Sequence, residues 1–166
     1  EGPPGSGKSD LALRLIDESE RDNAPSPLVA DDQVLVRRVD DALVASPPPG
    51  LAGLMEVRGL GIVQVAYVPQ ARLCLVAELK PAAEIERLPE PETQTTRILG
   101  IEIPKVEIDP RPASATARLR KAVEFVALAP ANRQNRFFAP RVGPNPATVA
   151  SGSARVAARG CEGEWA

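Results

Sequence analysis

Apolar positions along the chain fall into short groups whose period changes from one to the next. Leu11, Ala12, Leu15 and Ile16 recur at helical spacing, so Asp10–Asp17 reads as an amphipathic helix. The charged, turn-rich stretch from Glu18 to Ser26 is expected to end it. Pro27-Leu28-Val29-Ala30 is a short apolar run, long enough for a buried strand of a parallel sheet. Val34–Val39 and Ala42–Ala45 flank Asp40-Asp41 and predict a hairpin. Pro47-Pro48-Pro49-Gly50 excludes regular structure and marks an exposed loop. Arg72–Leu79 is strongly apolar and β-prone and is expected to be a central strand. Ile101-Glu102-Ile103 and Val106-Glu107-Ile108 alternate with period two and predict half-exposed antiparallel strands. Ser114 is placed to cap a last helix running to Leu128, with Leu119, Val123, Val126 and Ala127 on one face. Periodicity is lost past Pro130. Residues 1–128 are therefore expected to form one domain, and 129–166 a disordered tail.

Composition narrows the possibilities. The chain has 166 residues, enough for one domain with a modest core. A net charge of −2 gives no polybasic footprint, so no nucleic-acid partner is expected. No run approaches the roughly 18 apolar residues of a membrane span, and a cytoplasmic protein is expected. The chain has no histidine, which excludes a Cys/His zinc site. Cys74, within Leu73-Cys74-Leu75-Val76, reads as a small buried hydrophobe. Eighteen prolines and 3% aromatic residues point to a loop-rich chain.

The densest chemical signal is Gly2-Pro3-Pro4-Gly5-Ser6-Gly7-Lys8-Ser9, which fits G-x-x-x-x-G-K-[ST], the phosphate-binding P-loop. In such a loop, glycines turn backbone N–H groups inward around an anion, and the following helix adds its positive end. Lys8 is placed to reach nucleotide phosphates and the Ser9 hydroxyl to ligate Mg²⁺. Asp31-Asp32 follows the next apolar run, at a strand end where ligands of open α/β sheets bind. The pair is suited to magnesium or proton chemistry; a solvated turn is the plainer reading. Met55-Glu56-Val57-Arg58-Gly59-Leu60-Gly61-Ile62 sets an acid and a base between apolar residues, then two glycines that would permit close backbone approach. Glu56 as a metal ligand and Arg58 as a phosphate clamp compete there with a simple Arg–Glu ion pair.

These three motifs, in this order, resemble the bifunctional HPr kinase/phosphorylase family, in its short form without an N-terminal domain. The resemblance covers roughly residues 1–128. It implies a P-loop α/β domain with a mixed sheet, akin to phosphoenolpyruvate carboxykinase, with its first strand missing here. It also implies ATP and Mg²⁺ as cofactors, a serine of the phosphocarrier protein HPr as acceptor, and a hexameric homo-oligomer. By the same resemblance, Gly2 to Ser9 bind the nucleotide and Lys8 and Asp32 are catalytic. Asp32 would take the serine proton forward and return it in reverse. Ser9 and Glu56 would hold magnesium, Met55–Gln64 would serve both reactions, and Arg87 would be an active-site arginine. The family's catalytic histidine lies upstream of the loop. The segment governing dephosphorylation, Asp109–Ser114 here, does not carry Arg-Pro-Gly-Arg, which leaves the reverse activity open.

Two other functions fit the motifs: a P-loop kinase for a small molecule, and a truncated nucleotide-binding module that regulates by contact. No strand precedes the loop, so the chain is expected to be a fragment, marginal alone and with exposed sheet edges.

Overall fold

The computed structural model of the chain describes residues 1–90 and 94–128. The expected tail from residue 129, with Cys161, lies outside the described residues. The architecture is mixed α/β. Its elements are helices α1 (Lys8–Arg21) and α2 (Ala115–Leu128) and strands β1 (Leu35–Val39), β2 (Ala42–Ser46), β3 (Leu54–Val57), β4 (Gly61–Gln64), β5 (Ala71–Arg72), β6 (Val76–Leu79), β7 (Thr95–Ile98) and β8 (Ile101–Ile108). The strands form an antiparallel sheet β1-β2-β5, a hairpin β3-β4, and a mixed sheet β6-β8-β7 with β6 parallel and β7 antiparallel to β8.

Helix α1 organises the interior because its apolar face is shared between two clusters. Leu11 packs with Leu79, Ile108 and Ala115, joined by Leu15. Ile16 packs with Leu28 and Met55, joined by Ala12 and Leu13. Each fully buried side chain of this size contributes about 1.5–3 kcal/mol. The loop before the helix is thereby fixed between the mixed sheet and the β3–β4 hairpin. The helix runs one turn past the expected end. Ser19 is buried, its hydroxyl donating to the Ile16 carbonyl at 2.8 Å and accepting from the Ser26 N–H at 3.0 Å.

Strand β8, not Arg72–Leu79, is central. The expected strand is interrupted at residues 73–75, leaving β5 in one sheet and β6 in another. Nor are the Ile101–Ile108 segments two half-exposed strands. They form one strand whose packed face switches along its length, with Ile103 and Ile101 in a cluster with Leu43 and Val76 and Glu102 between them exposed, and with Ile108 and Val106 under α1 and α2. The β7–β8 hairpin turns at Leu99-Gly100, both at positive φ (47° and 82°). A turn of this hand matches strand twist and suits Asn-Gly; leucine is strained there.

The parallel register sets Glu78 opposite Glu107, which alone would repel. Lys105 bonds Glu78 at 2.9 Å and Lys80 bonds Glu107 at 2.7 Å. The Lys105 bond holds the Glu78 carboxyl below its ordinary range, and the Glu107 bond raises Lys80.

The Asp40-Asp41 hairpin forms as expected. Pro27–Ala30 does not form a strand. It contributes one parallel bridge, Leu28 to Tyr67, with Leu28 buried. The last helix begins at Ala115, and the Ser114 carbonyl accepts its first bond, from Arg118. Its packed face is Ala115, Thr116 and Leu119. Val123 and Ala127 are exposed, because α1 meets only the first turns, through Thr116 to Glu18 and Arg120 to Glu18 and Asp22. Cys74 is half-buried rather than buried.

Candidate functional site

The Gly2–Ser9 loop closes directly onto α1. Gly7 is the N-cap at φ 93° and no side chain caps the helix. The first intrahelical bond is Leu11 N–H to Gly7 carbonyl, 2.9 Å. The N–H groups before it therefore have no intrahelical partner, and the helix presents its positive end to the loop. Ahead of the loop, the backbone of Glu1 bonds Ala77 and Leu79, so residue 1 lies along β6. The Lys8 ammonium folds back over the loop, donating to the Gly2 and Pro3 carbonyls at 3.3 Å each, and forms no ion pair with the described residues. The Ser6 hydroxyl is buried with no hydrogen-bond partner among the described residues.

Three of the sequence-predicted segments meet through Asp31. Its Oδ1 accepts from the Ser9 hydroxyl at 2.8 Å and its Oδ2 accepts from the Glu56 backbone N–H at 3.0 Å. One carboxylate thus ties the start of α1 to β3. Asp32 is adjacent, exposed, and makes no hydrogen bond or ion pair among the described residues. The Glu56 carboxylate and Arg58 are also exposed and do not pair with each other, so the ion-pair alternative does not form. Gly59 and Gly61, at φ 87° and 93°, shape the β3–β4 turn. A Cβ at either would meet nothing within 4 Å among the described residues, so within this fold the positive φ rather than a close neighbour is what calls for glycine there. Arg87 is exposed beyond the 3₁₀ turn Ala82–Glu84, and no hydrogen bond or ion pair joins it to the loop.

Sequence reasoning assigned the proton role within the acid pair and missed the bridge that Asp31 makes. It also missed a wall on the other side of the loop. An open groove of about 400 Å³ runs there, between Pro3 and Pro4 of the loop and Leu79, Pro81, Pro110 and Arg111. The wall is pinned. Arg14 donates to the Pro110 and Pro112 carbonyls, and a Cβ on Gly7 would lie 3.3 Å from Pro110 Cγ. Asp109 is buried and accepts the Arg111 guanidinium through both oxygens, at 2.9 and 2.8 Å. It also accepts the Arg111 and Ala82 backbone N–H groups at 3.1 Å each. The Arg111 side chain, followed by these backbone donors, holds the Asp109 carboxyl well below the usual carboxylate range. Asp-Pro-Arg-Pro reads as a turn in sequence, and nothing local signals its contact with the loop.

A family model described as the HPr serine kinase C-terminal domain matches residues 1–139. The HPr kinase/phosphorylase of Geobacillus thermodenitrificans is 38% identical over 122 residues, covering 67% of this chain and 37% of the relative. That of Prosthecochloris aestuarii is 34% identical over 138 residues, covering 76% of this chain and 38% of the relative. The chain thus spans well under half the length of these curated relatives. The solved structure of the HPr(Ser) kinase/phosphatase from Coxiella burnetii superposes with a TM-score of 0.59 at 28% identity, covering 72% of this chain and 75% of that one. On the family-model match and the identity to these relatives, the chain belongs to the HPr serine kinase C-terminal domain family.

Proposed function

We propose that this chain carries the phosphoryl-transfer site of an ATP-dependent protein-serine kinase whose acceptor is an HPr-like phosphocarrier, with or without the reverse phosphorolysis. The observation that carries the reading is the Asp31 bridge. It gathers Ser9, at the end of a G-x-x-x-x-G-K-S loop, and the Glu56 backbone around one anion-binding helix end. Phosphoryl transfer needs positioning and charge neutralisation more than covalent chemistry from the protein. The loop N–H groups and Lys8 would cradle the phosphates, and the unpartnered Ser6 hydroxyl offers one more donor.

The oxygen donors present suit magnesium, which is held by one or two carboxylates together with substrate phosphates. Ser9 and Glu56 would hold it, with Asp31 beside Ser9, and it would neutralise phosphate charge. Asp32, unpaired and exposed next to the bridge, is assigned the proton of the attacking serine hydroxyl. The serine oxygen bonds the γ-phosphorus, the bond to ADP breaks, and the proton passes to Asp32. In reverse the same carboxyl returns it. Arg87, by family resemblance alone, completes the assigned set. A cytoplasmic location and a homo-oligomer, hexameric by resemblance, are part of the same reading.

Calorimetry with Mg-ATP on the wild type and Lys8→Ala tests the nucleotide half. Binding that is lost in the variant is expected; equal affinity in both proteins would remove Lys8 and the loop from the site.

A further inference from the structure

Beside the loop, the groove has features that phosphate binding does not use. Its volume, about 400 Å³, falls in the range of small-molecule sites. The prolines at 3, 4, 81 and 110 with Leu79 make most of its surface apolar. Its charged lining residues are two acids, Asp10 and Asp109, and two bases, Lys80 and Arg111. Each base is already paired, Lys80 with Glu78 and Glu107, and Arg111 with Asp109. A second phosphate site would require surplus positive charge, and this groove has none.

Arg111 is the unusual element. Its guanidinium is locked in a two-point fork by a buried carboxylate, yet its side chain remains 71% exposed. The carboxylate is buried but the guanidinium stays open to water, and ordering that long side chain offsets part of what the pair adds to stability. What the fork does produce is a flat cationic face held in one orientation on the wall of the groove. Such a face stacks on aromatic rings. Because Pro110 abuts Gly7, this wall is contiguous with the loop.

We propose that this groove receives the nucleoside of the nucleotide whose phosphates occupy the Gly2–Ser9 loop, with the base stacked on the Arg111 guanidinium and Asp109 serving as its positioning residue. The assignment rests on the phosphate-loop reading above and adds to it the subsite that separates a nucleotide from a bare polyphosphate. The pinned wall makes this subsite preformed, so little ordering entropy opposes binding.

The test is calorimetry with Mg-ATP and, separately, Mg-tripolyphosphate, on wild type, Arg111→Ala and Arg111→Lys. The wild type should bind Mg-ATP more tightly than tripolyphosphate. Arg111→Ala should weaken Mg-ATP about three- to tenfold, the scale of a cation–π contact, and change tripolyphosphate less than twofold. Arg111→Lys keeps a charge for Asp109 but loses the planar face. It should show the same selective loss, and it carries the test if the alanine variant fails to fold. Equal losses for both ligands would make Arg111 a phosphate contact and overturn the proposal. Unchanged Mg-ATP affinity in both variants would overturn it too. If the wild type binds neither ligand, the phosphate-loop reading falls and this proposal with it. If the wild type binds both ligands but neither variant shows a selective loss for Mg-ATP, the groove assignment alone falls.

Discussion

Replacing Asp31 separates what holds the site together from what charges it. The Asp31 carboxylate accepts two bonds, from the Ser9 hydroxyl at 2.8 Å and the Glu56 N–H at 3.0 Å. Hydrogen bonds to a charged group contribute about 1.5–3 kcal/mol when buried. This site is partly open to water, which replaces some of that, so about 1 kcal/mol per bond is the better scale. Asp31→Ala should therefore cost roughly 2 kcal/mol and lower the melting midpoint by about 4–8 °C. Asp31→Asn differs. Its amide oxygen can accept from Glu56, and its amide nitrogen can donate to the Ser9 oxygen once that hydroxyl rotates. The asparagine variant should recover most of the lost stability while still losing the negative charge beside Ser9. It should bind Mg-ATP at least about tenfold more weakly than wild type, the scale of one charge-assisted contact. Thermal melts and Mg-ATP titrations of the three proteins measure both effects. An alanine variant that melts with the wild type would show that the bridge does not hold β3 to the loop. An asparagine variant with wild-type Mg-ATP affinity would remove the Asp31 charge from the site.

Two further outcomes test the surrounding fold. Asp109 has an ordinary value of 3.8 that folding lowers, so its stabilising contribution is present above about pH 4 and is lost as pH falls below it. Wild type should lose stability on acidification through that range, and the melting gap between it and Asp109→Asn should narrow there; a gap constant from pH 7 to pH 3 would contradict the role of the Arg111 fork. Leu99 sits at φ 47° on an exposed turn before Gly100. Leu99→Asn should raise stability by about 0.5–1 kcal/mol in urea unfolding, because asparagine tolerates left-handed backbone better, and a neutral or lower midpoint would mean the strain is not there.

The sequence was most legible where the signal is local. The apolar positions of α1 and the Asp40-Asp41 hairpin depend on near neighbours, and each appears as read. Strand rank was not legible. Residues 73–75 interrupt an apolar run that looks continuous, and Ile101–Ile108 alternates as a half-exposed strand would. In the fold its polar positions, Glu107 and Lys105, are neutralised across the parallel register with Glu78 and Lys80 instead of facing solvent alone. That pairing joins residues about 27 apart, so no window of sequence reveals it. The site divides the same way. The acid pair at Asp31-Asp32 was visible, but which carboxylate bridges Ser9 and β3 depends on backbone direction. The Asp109–Arg111 wall meets the loop roughly a hundred residues away in sequence.

The central claim is serine phosphorylation of a phosphocarrier, and the most direct measurement is label transfer. Purified chain, Mg²⁺ and γ-labelled ATP are incubated with HPr, and phosphoserine is followed with time, with Asp32→Asn run in parallel. The account predicts label on an HPr serine with wild type, and a rate at least about 100-fold lower with Asp32→Asn at unchanged ATP affinity, the effect of removing a general base. ATP bound by the wild type with no label on HPr, or transfer undiminished in Asp32→Asn, would contradict it.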